Sequence, residues 1–214
     1  MARVPARLAV VSAVLALAFG GCKAGGETTG PSAEAPPPPT SLQTWAGSFR
    51  FNSETQGRIS GTTTFEGTAT WQKEQAPDPA GLPIRAGAVR YRVMSGQVTV
   101  VSRARETFVG FEDVCIWEGN ASATLGPNDP VPDPELRSFL DLGADGQYTG
   151  SLYVVVPATQ VRTCPGAVQS FATEPLMHLP IGGSLMAGPR MRGEMAPHVL
   201  PGTTDTGSWD FAPR

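Results

Sequence analysis

From Arg58 to Gln72 the chain alternates without a break. Odd positions carry Ile59, Gly61, Thr63, Phe65, Gly67, Ala69 and Trp71; even positions carry Arg58, Ser60, Thr62, Thr64, Glu66, Thr68, Thr70 and Gln72. A period of two places each set on its own face of a pleated strand, whereas a helical period of 3.6 would scatter both. The run exceeds the usual strand length of roughly 3–10 residues. It is therefore either one long strand bent at a glycine or a hairpin turning at Glu66–Gly67.

The same pattern recurs along the chain. Trp45, Gly47, Phe49 and Phe51 alternate with Ser48, Arg50 and Asn52, and Cys115, Trp117, Gly119, Ala121, Ala123 and Leu125 share one parity. Tyr148, Gly150, Leu152, Val154 and Val156 share another, Met191, Gly193 and Met195 a third, and the chain closes with Trp209 and Phe211 about Asp210. Between Val89 and Val101 the apolar parity is odd up to Val93 and even from Val98, which predicts a bulge at Ser95–Gly96. With 25 Gly and 21 Pro in 214 residues, long helices are disfavoured, because both residues break helix interiors. One short helix is predicted over 134–141. Asp133 caps it, Pro134 is its first residue, and Leu136, Phe139 and Leu140 form its apolar face. Pro-rich loops are expected at 76–83, 126–134 and 196–202, and turns at Asp141–Gly146 and Gly182–Gly183. The expected fold is all-β: an antiparallel up-and-down barrel or a sandwich of about eight strands in residues 42–214. Glycines on inward faces (Gly61, Gly67, Gly119, Gly150) favour the barrel, whose strands must bend. The opening Trp45–Ala46–Gly47 and the closing aromatic strand resemble lipocalin-type barrels.

The N-terminus reads as an address. Arg3 and Arg7 precede an apolar run from Leu8 to Phe19, followed by Gly20, Gly21 and Cys22. Twelve apolar residues make a helix of ~18 Å, too short for a ~30 Å hydrocarbon core, so residues 1–21 have the form of a cleaved signal peptide. The stretch Ala18–Phe19–Gly20–Gly21–Cys22 resembles the lipobox of bacterial lipoproteins. That resemblance implies acylation of Cys22, cleavage before it, and a membrane partner reached through N-terminal acyl chains. Lys23 after the cysteine, rather than Asp, implies by the same resemblance the outer membrane of the cell envelope. Residues 22–41 contain no aliphatic side chain larger than Ala and include Pro36 to Pro39. Such a segment buries too little apolar surface to offset its chain entropy and reads as a tether.

Acylation of Cys22 leaves Cys115 and Cys164. In an oxidising compartment such a pair forms a disulfide closing a loop of about 50 residues. Neither sits in Cys-x-x-Cys, which disfavours a redox role. A net charge of −3 excludes a phosphate-backbone binder, so no nucleic acid is expected. His178 and His198 lack metal-ligand spacing, no nucleophile, nucleotide or cofactor motif occurs, and neither a metal nor a cofactor is expected. Glu112, Asp113 and Glu118 read as a solvated face.

The most suggestive constellation is arginine. Arg90 and Arg92 share one parity, Arg103 and Arg105 another; a hairpin joining the two segments would converge four guanidiniums into an anion site, whereas the preferred reading is an outward face balanced by Glu66, Glu106 and Glu112. The expected function is a non-catalytic, lipid-anchored envelope protein that binds a small apolar or anionic ligand or another envelope protein. The alternatives are a structural or assembly accessory without a ligand, and an envelope glycan hydrolase. A cavity lined by Phe65, Trp71, Trp117 and Tyr148 would favour a ligand. A filled core with an exposed apolar patch would favour the accessory, and a cleft pairing two carboxyls the hydrolase.

Overall fold

A computed structural model describes residues 39–75, 83–110, 113–127, 137–185 and 188–214, and 75% of these residues are strand. Eleven strands occur among them: β1 (Thr44–Thr55), β2 (Ile59–Lys73), β3 (Ala88–Thr107), β4 (Val114–Leu125), β5 (Phe139–Gly143), β6 (Gln147–Val155), β7 (Ala158–Cys164), β8 (Ala167–Thr173), β9 (Leu176–Ser184), β10 (Met191–Leu200) and β11 (Thr203–Pro213). All pair antiparallel in one sheet that does not close. Its main path runs β10-β11-β1-β2-β3-β4-β7-β8.

The long alternating run is a single strand, β2, without a turn at Glu66–Gly67. Its neighbour β3 is the organising element. Ala88 to Arg92 pair with β5, and Gly96 to Thr107 pair with β4. Between the two stretches Thr70 lies opposite Ser95 and Trp71 opposite Val93, which leaves Met94 as the extra residue of a bulge. The parity break thus falls one position before Ser95–Gly96. One added residue exchanges the faces of everything beyond it, so Tyr91 and Val93 share the interior with Val98 and Val100.

Where β3 pairs with β5, the sheet curls through β6 and β9 until β9 lies beside β10 without forming a ladder. The enclosed core contains Trp45, Phe49, Phe51, Phe65, Trp71, Tyr91, Leu140, Leu152, Met177, Leu179, Met191, Trp209 and Phe211. Each such side chain contributes roughly 1.5–3 kcal/mol on burial. Phe51 meets Phe65 edge-on at 6.0 Å, and Trp71 meets Phe211 at 5.8 Å. Two of the core rings require a neighbouring glycine: a Cβ at Gly67 would strike the Phe49 ring, and one at Gly193 the Trp209 ring. Close packing of an aromatic across the missing side chain, rather than strand bending alone, accounts for these inward glycines.

Three local expectations are corrected. Phe139 to Asp141, the end of the predicted helix, lie in β5; residues 134–136 are outside the described residues. Leu140 and Leu142 alternate about Asp141, so packing within the sheet took the segment that helical spacing also fitted. Ala196 to Leu200 continue β10 past a bulge between Met195 and His198, with only Pro201–Gly202 turning. Gly182–Gly183 is no turn but part of β9, paired with Thr149 and Tyr148.

The chain enters the domain at the β5 end of β3. Tyr91 Oη donates to the Leu42 carbonyl (2.9 Å), and Lys73 Nζ donates to that of Thr40 (3.0 Å).

Candidate functional site

Beyond the core, the second stretch of β3 carries a wing of β4, β7 and β8. Apart from Trp117 and Phe171, its inner-face residues are mostly small or polar: Ser102 and Ala104 on β3, Gly119 and Ala121 on β4, and Gln160 and Arg162 on β7. Among the described residues no further strand packs over that face, and other devices hold the strands. Cys115 and Cys164 form a disulfide, with Cα atoms 4.3 Å apart, between neighbouring strands β4 and β7. Glu106 is the second device. Its buried carboxylate accepts hydrogen bonds from Arg58 Nη2 (2.8 Å), Arg162 Nε (2.9 Å) and Trp117 Nε1 (3.1 Å). Arg162 lies over the Trp117 and Phe108 rings, and Trp117 packs on Phe171 at 5.2 Å. Burial works to raise the Glu106 pKa. Donors from Trp117, Arg162 and Arg58, together with the Arg162 charge, outweigh it and hold the carboxyl below its ordinary value.

The wing ends in an open edge. Among the described residues β8 pairs with β7 alone, and Ala167 to Ala172 are all exposed. The type of turn fixes which backbone groups are free. Pro165–Gly166, with φ of 77° at Gly166, joins Cys164 to Ala167 in two residues. Such a turn makes its flanking residues a hydrogen-bonded pair, and the pattern then alternates. Ala167, Gln169, Phe171 and Thr173 spend their N–H and C=O groups on β7. Val168, Ser170 and Ala172 direct theirs outward. The strand reads Ala-Val-Gln-Ser-Phe-Ala-Thr, with no charge and no proline, and Val168 is 68% exposed. The strands at the other end of the sheet differ: β10 carries Arg192, Glu194, Pro197 and a bulge, and β9 carries Pro180. Charge, proline and bulges are the devices that keep an edge from pairing with another chain. The β8 edge has none of them.

The other candidate residues are dispersed. The two arginine pairs lie on one strand, so no hairpin joins them, and Arg92 and Arg103 are about 35 Å apart along β3. Arg90 is buried in a bidentate pair with Asp141, at 2.7 Å to each oxygen, while Arg92 pairs with Glu74. Arg103 is 75% exposed, 3.7 Å from Glu118, and Arg105 is exposed. Phe65, Trp71 and Tyr148 fill the core, Tyr148 donating to the Arg192 carbonyl (3.1 Å); Trp117 stands apart in the wing. Cys22 and Glu112 fall outside the described residues. Burial, then the His198 charge, lower the pKa of His178, whose ring meets Tyr153 at 5.5 Å. Among the described residues no group of three or more His, Cys, Asp and Glu could hold a metal ion. On the outer face an open groove of about 400 Å³ runs over Ser48 and Ser208 between Arg50, Glu66, Arg192 and Glu194.

Comparison with protein families, curated proteins and solved structures finds no match to this chain. Val168, Ser170 and Ala172 escaped the sequence reading because β8 lacks alternation. The usable signal was Pro165–Gly166 between two short runs, the second of them uncharged, the mark of a tight hairpin.

Proposed function

We propose that this protein is a lipid-anchored component of the bacterial envelope that holds a protein partner, without catalysis, by accepting an extended strand at the β8 edge. The single observation that carries the reading is that edge: seven uncharged residues whose three outward-facing members direct backbone groups away from β7, on a domain whose β9 and β10 carry proline, charge or a bulge. Strand addition uses main-chain hydrogen bonds for affinity and alternate side chains for choice. The lipobox-like Ala18–Cys22 and the tether to residue 41 support the anchor. The filled aromatic core supports a surface role over a ligand held inside the sheet. Geometry adds to this: the chain enters beside Tyr91, and Glu106 in the wing lies 15 residues further along β3, about 50 Å away. The binding edge thus lies toward the end of β3 opposite the point where Thr40 and Leu42 join the domain.

The test is a photo-crosslinking residue at Ala172 in the full-length chain, activated in intact cells. A discrete adduct is expected, and Ser170→Pro should abolish it by removing the central outward N–H. The β7 ladder does not use that N–H, so the melting temperature should hold. Absence of an adduct, or one indifferent to Ser170→Pro, overturns the reading.

A further inference from the structure

Resting on that reading, we infer that the partner strand is β8 of a second copy, paired antiparallel about a twofold axis through Ser170. Three observations lead to it.

The first is register. Only Val168, Ser170 and Ala172 have free backbone groups, so a self-pair must match these three with themselves. An axis at Ser170 does so completely: Ser170 faces its own mate, and Val168 faces the mate's Ala172 in both directions. Each narrow antiparallel pair exchanges two hydrogen bonds, which gives about six across the junction. An axis at Gln169 or Phe171 matches only two of the three outward residues, one at Val168 or Ala172 only one, and an axis between residues would set outward groups against those already spent on β7.

The second is charge. A twofold axis sets every charge near its own copy, so most charged edges repel themselves. The sequence Ala167–Thr173 has no charge to repel or to bury.

The third is side-chain fit. On the outer face, exposed Val168 gains an Ala172 neighbour, and the small Ser170 hydroxyls meet on the axis. On the inner face Gln169 lies opposite the mate's Phe171, which carries the cross-strand row Trp117–Arg162–Gln169 into a further aromatic ring. One sheet thus continues from one copy into the next. A single seven-residue strand buries less than the roughly 1,200 Å² of a standard interface. The dimer is therefore reversible, and confinement of copies to one membrane supplies the concentration that drives it.

Two differently tagged full-length copies, one with the photo-crosslinking residue at Ala172, are co-expressed in the envelope. The expected adduct contains both tags. Ser170→Lys in both copies, or Ser170→Glu in both, places like charges opposite each other on the axis and should reduce it about fivefold or more. Ser170→Lys in one copy with Ser170→Glu in the other should restore it, a rescue that a general folding defect would not produce. An adduct that joins Ala172 to a different protein, still sensitive to Ser170→Pro, overturns the second copy and leaves strand addition standing. No adduct in any combination overturns both, and a two-tag adduct unaffected by paired lysines overturns the self-pair about Ser170 alone.

Discussion

The two ends of β3 obey different physics. At the β5 end the strand is walled by a curled sheet, and even its charge is buried: Arg90 and Asp141 are each 6% exposed and joined by two hydrogen bonds. At the β4 end the same strand lies in a wing over which no further described strand packs, and Arg103 is solvated. There a disulfide and the Glu106 cluster replace hydrophobic packing. The lesson is that a sheet can extend past its core if covalent and polar links compensate for missing apolar burial. What such an extension offers in return is an accessible edge.

Substitutions can break that contrast. The largest losses belong to the core half. Trp71→Ala removes a fully buried ring and should cost ~3–5 kcal/mol by urea unfolding. Arg90→Ala strands the Asp141 carboxylate and should cost a similar ~3–5 kcal/mol. If either proves nearly neutral, the core half is not the stable unit described above. Next is Cys115→Ser. Loss of the staple should cost ~2–4 kcal/mol and lower the melting temperature by several degrees. Amide exchange should accelerate first in β7 and β8 while β1 and β11 stay protected. Uniform acceleration would erase the distinction between wing and core.

Glu106→Gln should have a smaller, pH-dependent effect. The folded carboxyl titrates below its ordinary value, so its contribution is complete above the unfolded glutamate pKa of about 4.3 and fades as pH falls through the lower folded value. The gap in melting temperature between wild type and Glu106→Gln should therefore be widest near neutrality and shrink in acid. A gap that widens in acid would show that Glu106 is not held ionised by Arg58, Arg162 and Trp117. The smallest effect is expected of Arg103→Ala, within ~0.5 kcal/mol, because its pairing with Glu118 is exposed and long. Set against Arg90→Ala, it measures how far one strand crosses from buried to solvated electrostatics.

Much of the first half of the fold was legible residue by residue. Alternation in β1, β2, β4, β6 and β11 marked strands half-buried against a core, and the parity break in β3 located its bulge within a position. The Cys115–Cys164 disulfide was anticipated by leaving Cys22 to the anchor. The site was less legible. β8 has no alternation because neither of its faces is buried, and β9 seemed to turn at Gly182–Gly183, although those residues lie extended against β6. Phe139–Asp141 satisfied helical spacing and strand parity alike, and only the neighbours chose between them.

The sequence by itself determined that this chain forms strands and which residues of those strands face inward. Each of these is a matter of local period and composition. Only the tertiary structure decided that Arg90 and Arg103 part company, that Glu106 gathers Arg58 and Arg162 across three strands, and that, among the described residues, the outer edge of β8 has no strand partner. Those outcomes depend on register between segments distant in sequence, and register is set by the packing of the whole sheet rather than by any one strand.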